Sequence, residues 1–144
     1  IMGTKRMIHW MAKREYFDDW KVAWFFKMSG CISVDRSIYD DVAKGKALDV
    51  LKDGGAIGLF PEGTRNKTDK FLLPFKFGAV SMAKKTDSII VPFGISGDYK
   101  FRSKNLRVHI GKPFSIEDMT LEEANKKLEK EIGKLIKKGQ AMDK

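Results

Sequence analysis

Six consecutive residues, Phe60-Pro61-Glu62-Gly63-Thr64-Arg65, gather groups suited to holding an anion. An apolar run ends at Phe60, proline stops a strand ladder, and glycine permits a tight turn that aims backbone N–H groups outward. Thr64 offers a hydroxyl, and Arg65 offers a planar guanidinium fork that matches phosphate oxygens. Glu62, three positions before Arg65, has the charge to orient that guanidinium. An ordinary surface turn with an exposed ion pair has the same residue types, so the types alone leave both readings open.

Other reactive side chains are few. The chain has two histidines, His9 and His109, and one cysteine, Cys31. His9 lies in an apolar stretch and reads as a packed core residue; His109 lies in a late basic stretch and reads as solvated. Cys31 stands between Gly30 and Ile32 and reads as a buried, inert thiol. A single cysteine also rules out an internal disulfide and fits a reducing compartment. No metal-ligand cluster is visible.

These residues need elements to position them. Met7 to Ala12 reads as a short buried strand, Arg14 to Met28 as a helix stopped at Gly30, and Cys31 to Val34 as a second strand. Tyr39 to Lys52 reads as a helix ended by Gly54-Gly55, and Ala56 to Phe60 as a strand broken at Pro61. Phe77 to Lys84 is a short helix, Ile89 to Ile95 a strand, and Leu106 to Ile110 an edge or half-exposed strand. The last helix is marked by a capping box, Thr120 with Glu123, and by one apolar stripe of Leu121, Ala124, Leu128, Ile132, Leu135 and Ile136. Strands alternating with helices predict an α/β single domain with a largely parallel mixed sheet flanked by helices. In such sheets chemistry gathers beyond the carboxyl ends of strands. The loops after Val34 and after Phe60 each hold an arginine, Arg36 and Arg65.

At 144 residues the chain has room for one domain with a hydrophobic core, and two would be crowded. A hydrophobic share of 42% with 33% charged residues excludes a disordered or wholly embedded chain. The net charge of +9 favours anionic partners. Nucleic acid is disfavoured, because aromatics are not interleaved with basic residues on a strand platform. Trp20, Trp24, Phe25, Phe26 and Met28 crowd one stretch beside Lys21 and Lys27. Some of these aromatics are expected on the sheet and others at head-group depth on an anionic lipid surface. The lysines between Lys126 and Lys138 alternate with Glu129 and Glu131 and read as a solvated helix face. No apolar run reaches the roughly 18 to 20 residues that span a bilayer, and no secretory signal is seen.

The literal string Phe60 to Arg65 resembles a block of the glycerolipid acyltransferases, the family of lysophosphatidate and glycerol-3-phosphate acyltransferases. Further blocks follow in the family's order. Ala12-Lys13-Arg14-Glu15-Tyr16-Phe17 is similar to its Ala-Lys-x-Glu-Leu-Phe segment, and Gly30 to Arg36 to the block whose terminal arginine lines the acceptor site. Pro74 to Ala79 is similar to Pro-Phe-Lys-x-Gly-Ala, and Val91 to Ile95 to Val-Pro-Val-x-Ile. The resemblance extends from about Ile8 to Pro113.

It implies a glycerol-3-phosphate acyltransferase-like fold over residues 1–144 and transfer of a fatty acyl group from acyl carrier protein or coenzyme A to the sn-2 hydroxyl of 1-acylglycerol 3-phosphate. Glycerol 3-phosphate, another lysolipid, or lipid-phosphate binding without catalysis are the alternatives. Lys13, Arg36 and Arg65 are implied to bind the acceptor phosphate, with Glu62, Gly63 and Thr64 shaping the pocket. No cofactor beyond the thioester co-substrate is implied, and the expected location is the cytoplasmic face of a membrane. The family's catalytic motif, Asn-His-x-x-x-x-Asp, is not formed by either histidine: Arg14 stands five residues after His9, and Phe114 five after His109. In the family's order that motif precedes Lys13 by roughly twenty residues, so the expectation is an N-terminally truncated acyltransferase domain, inactive as it stands.

Overall fold

The structure, a computed structural model, describes residues 6–35, 37, 40–98 and 104–142. The chain forms two compact units, Ile1–Gly63 and Thr64–Lys144.

The first unit is built on three parallel strands, β1 (Ile8–Lys13), β2 (Ile32–Val34) and β3 (Ala56–Gly58), in the order β2-β1-β3. Lys13 stands opposite Val34, and Trp10 opposite Gly58. The parallel order requires crossovers, made by helices α1 (Glu15–Asp18) and α2 (Trp20–Met28) before β2 and by α3 (Asp41–Lys52) before β3. The single helix expected over Arg14 to Met28 is thus two. Asp19 is extended (φ −78°, ψ 107°), and its carboxylate accepts from the Lys21 N–H at 3.0 Å, so it ends α1 and caps α2. Asp40 likewise caps α3 by accepting from the Ala43 N–H at 2.9 Å. Tyr39, expected as the start of that helix, lies outside the described residues. Ala43 and Ala47 are the buried residues of α3.

β3 is shorter than the apolar run suggested, because only Ala56 to Gly58 find partners on β1. A Cβ on Gly58 would stand 2.5 Å from the Trp10 side chain, so the indole occupies the space that glycine leaves. Trp10 also stacks on Phe60, with ring centroids 6.0 Å apart.

In the second unit, α4 (Gly78–Thr86) and α5 (Leu121–Ala141) accompany an antiparallel pair, β4 (Phe93–Ser96) and β5 (Arg107–Ile110). The strand expected from Ile89 begins late because Pro92 has no N–H to donate. Before it pairing is limited to one isolated bridge, in which Ile90 and Phe114 exchange backbone hydrogen bonds of 2.9 and 3.0 Å. Phe75, Val80, Ala83, Ile116, Ala124, Leu128 and Ile132 form the core. The capping box on α5 is complete, with the Glu123 N–H donating to Thr120 Oγ1 and the Thr120 N–H to the Glu123 carboxylate. Close approach of α5 to the hairpin depends on small residues: a Cβ on Gly94 would meet Leu135 Cβ at 2.9 Å, and one on Gly139 would meet Ser96 Oγ at 2.1 Å.

The α/β class with a parallel sheet is what the chain has. His109, in contrast, is not solvated. Strand alternation turns Val108 and Ile110 outward and His109 inward, where its Cδ2 lies 2.9 Å from a Cβ built on Gly139. Its Nε2 is buried without a hydrogen-bond partner among the described residues.

Candidate functional site

Parallel strands leave their sheet in one direction, so the segments after β1, β2 and β3 emerge along a common edge. Lys13 is the last residue of β1 and is exposed. Its ammonium is paired with the Glu15 carboxylate, and that hydrogen bond holds the Glu15 carboxyl below its ordinary value of 4.5. An exposed pair of this kind is worth little, so a phosphate can displace the carboxylate.

The segment after β2 is fixed by two aspartates that the sequence did not single out. Asp35 accepts from the Ser37 N–H at 2.9 Å and from its hydroxyl at 2.5 Å, and receives Arg14 Nη1 at 3.4 Å. Asp40 accepts from the Asp35 N–H at 2.9 Å while capping α3. Both carboxyls are held below their ordinary 3.8, Asp35 first by the Ser37 hydroxyl and Asp40 first by the Ala43 N–H. Arg36, the candidate in this segment, lies outside the described residues.

After β3 the chain turns. The Gly63 N–H donates to the Phe60 carbonyl at 3.0 Å, and Gly63 takes the left-handed conformation (φ 68°) that favours glycine. This is the tight turn expected from Pro61 and Gly63, and Trp10, stacked on Phe60, seats its first residue. Glu62 and Gly63 are half-buried and close the first unit. Thr64 and Arg65 open the second unit, and both are exposed. Beyond them Asn66 pins the loop, accepting from the Thr68 N–H and hydroxyl at 2.9 and 2.8 Å and donating to the Lys70 carbonyl at 2.7 Å. The first unit therefore carries Lys13, Glu62 and Gly63 on its carboxyl edge, and Thr64 and Arg65 follow directly in the chain.

The remaining reactive groups are engaged elsewhere. His9 Nδ1–H donates to the Gly30 carbonyl at 2.8 Å, which ties β1 to the turn after α2. Cys31 is half-buried, and burial pushes its thiol up, which makes it a poor nucleophile. The Pro74 to Ala79 block divides its work. Phe75 enters the core and its carbonyl accepts from buried Asn125 at 3.1 Å, while Lys76 is exposed.

Residues 1–96 match the family model described as Acyltransferase. The 1-acyl-sn-glycerol-3-phosphate acyltransferase of Bacillus subtilis is 33% identical over 110 residues, covering 74% of this chain and 54% of that protein. The Saccharomyces cerevisiae protein of the same name is 34% identical over 122 residues, covering 76% of this chain and 40% of that one. Among solved structures, the crystal structure of the 1-acyl-sn-glycerophosphate (LPA) acyltransferase PlsC from Thermotoga maritima is similar with a TM-score of 0.74 and 25% identity, covering 94% of this chain and 58% of that chain. The chain thus spans about half the length of such relatives.

Proposed function

The chain belongs to the acyltransferase family, and from that membership we propose that it forms part of an enzyme acylating the sn-2 hydroxyl of 1-acylglycerol 3-phosphate to give phosphatidic acid. The donor is a fatty acyl thioester of coenzyme A or acyl carrier protein. The names of the bacterial and yeast relatives support the choice of acceptor over glycerol 3-phosphate. The observation that carries the reading is the common carboxyl edge of the parallel sheet, where Lys13 and the Phe60–Gly63 turn emerge.

In this reading Lys13, Arg36 and Arg65 hold the acceptor phosphate. Arg65 matches it with a guanidinium fork, and Lys13 with a point charge. Glu62, Gly63 and Thr64 shape the pocket wall. The phosphate fixes the glycerol, so the neighbouring hydroxyl meets the thioester carbonyl in a set geometry. That hydroxyl oxygen bonds to the carbonyl carbon, the C–S bond breaks, and the hydroxyl proton passes to a base and then to the departing thiolate. An alcohol needs such a base at neutral pH. His9 has its Nδ1–H committed to Gly30, and His109 is packed beneath α5. Neither is followed five residues later by aspartate. We therefore assign the base to the family's Asn-His-x-x-x-x-Asp motif, which neither histidine of residues 1–144 forms. Cys31 has no part, and no acyl-enzyme forms.

The acceptor's acyl chain resides in a bilayer, so the enzyme works at a membrane, on its cytoplasmic face. Among the described residues no helix is long and apolar enough to cross one.

Thioester consumption with lysophosphatidate and acyl-donor micelles tests the reading, on this chain and on a polypeptide that places the histidine segment before it. Phosphatidate from the longer polypeptide alone is the expected result. No product from either, across donors and acceptors, removes the enzyme assignment.

A further inference from the structure

Helix α2 presents an apolar face to solvent, and its residues have the composition of a lipid interface. At about 100° per residue, Lys27, Trp20, Trp24, Met28, Lys21 and Phe25 follow one another around one side of the helix. Trp20 is 81% exposed, Met28 75%, Trp24 60% and Phe25 55%. The opposite side holds the inward residues: Ala23 is buried, and Phe26 stacks on Tyr16 with ring centroids 5.2 Å apart. A helix apolar all round is normally enclosed on every side. Here the side toward α1 is satisfied by Tyr16 and Phe17, and the other side is not.

We propose that this face of α2 docks the domain on an anionic lipid surface, with Trp20, Trp24 and Met28 at head-group depth and Lys21 and Lys27 on lipid phosphates. The proposal rests on the function proposed above, whose acceptor is itself a membrane lipid. Composition and charge favour a bilayer over a protein groove. Indole rings with an apolar body and a polar N–H concentrate at membrane–water boundaries, and flanking lysines complement anionic head groups. The local geometry agrees: Trp24 Nε1–H donates to the Lys21 carbonyl at 3.1 Å, and the Lys21 ammonium lies 6.0 Å from the Trp20 ring centroid. The nearby acidic groups are occupied, Asp19 as the α2 cap and Asp18 beside Arg14 Nε at 3.9 Å. An acidic protein partner would be met by the lysines but would gain little from four large exposed apolar side chains.

The test is co-sedimentation of the 144-residue chain with vesicles of phosphatidylglycerol and phosphatidylcholine, and with vesicles of phosphatidylcholine alone. Binding to the mixed vesicles is expected, with quenching of tryptophan emission by lipids brominated near the head group. Trp20→Ser/Trp24→Ser/Met28→Ser, checked for unchanged far-ultraviolet circular dichroism, is expected to lower partitioning roughly tenfold or more, and Lys21→Glu/Lys27→Glu by a similar factor. The charge-matched Lys126→Glu/Lys130→Glu on α5 is expected to change it less than about twofold. Equal losses from the two lysine pairs would assign the binding to overall charge and overturn the proposal. Full vesicle binding by the triple variant, or capture by an acidic carrier protein without vesicle binding, would overturn it too. Binding of short-chain lysophosphatidate in vesicle-free solution reads the acceptor site separately, so loss of that binding touches the function and not the docking face.

Discussion

Trp10 and Gly58 show how one pair of residues sets the position of the turn after β3. They stand opposite each other on β1 and β3, and the indole fills the space where a glycine Cβ would be, 2.5 Å from the nearest ring atom. The same indole stacks on Phe60, the first residue of the turn closed by Gly63. Gly58→Val is therefore expected to destabilise the first unit by about 1–3 kcal/mol through overpacking, read as a fall in the thermal unfolding midpoint. An unchanged midpoint would mean that the indole moves aside freely. The Asp35–Asp40 pair works in the same way on the neighbouring segment, and its contribution depends on pH. Both carboxyls are held below 3.8 in the fold, so their contribution is full above that value and is lost as pH falls through the lowered folded values. Protection of the Asp35 and Ala43 amides, taken against the intrinsic exchange rate at each pH, is expected to fall in acid below about pH 4, ahead of that of the core amides of α5. Simultaneous loss in both places would contradict a local role.

At the scale of elements, what could be read in advance was what local chemistry decides. The α5 helix carries its own period and its own cap, and both the stripe and the Thr120–Glu123 box are found as expected. Thr120→Ala is expected to cost about 1 kcal/mol, read in chemical denaturation; no change would show that tertiary packing alone fixes the start of α5. Strand ends were less legible, because pairing decides them: β3 stops at Gly58 although the apolar run continues to Phe60. The break at Asp19 was hidden inside an apolar periodicity that runs through it, although an aspartate before Trp20 is itself a cap signal. His109 was misplaced because its basic neighbours suggested solvent, whereas alternation along β5 turns it under α5.

For the whole molecule, the candidate site was legible to the extent that it sits in contiguous strings. Phe60 to Arg65 and Ala12 to Phe17 announce themselves as blocks, and both fall where a parallel sheet ends its strands. Of the groups that hold those blocks in place, Trp10 reaches Phe60 across 50 positions and Asp35 reaches Arg14 across 21, and only the folded chain shows these partners. The net charge of +9 pointed to an anion without choosing one; the phosphate reading narrows it to a group at the edge of the sheet.

That claim is tested most directly by calorimetric titration of this chain with short-chain lysophosphatidate and with the monoacylglycerol that lacks only its phosphate. The phosphate-bearing lipid is expected to bind at least about tenfold more tightly, and Arg65→Ala to remove most of the difference, as for loss of a charge-assisted hydrogen bond of about 1.5–3 kcal/mol. Equal binding of the two lipids, or a preference untouched by Arg65→Ala and Lys13→Ala together, would contradict it.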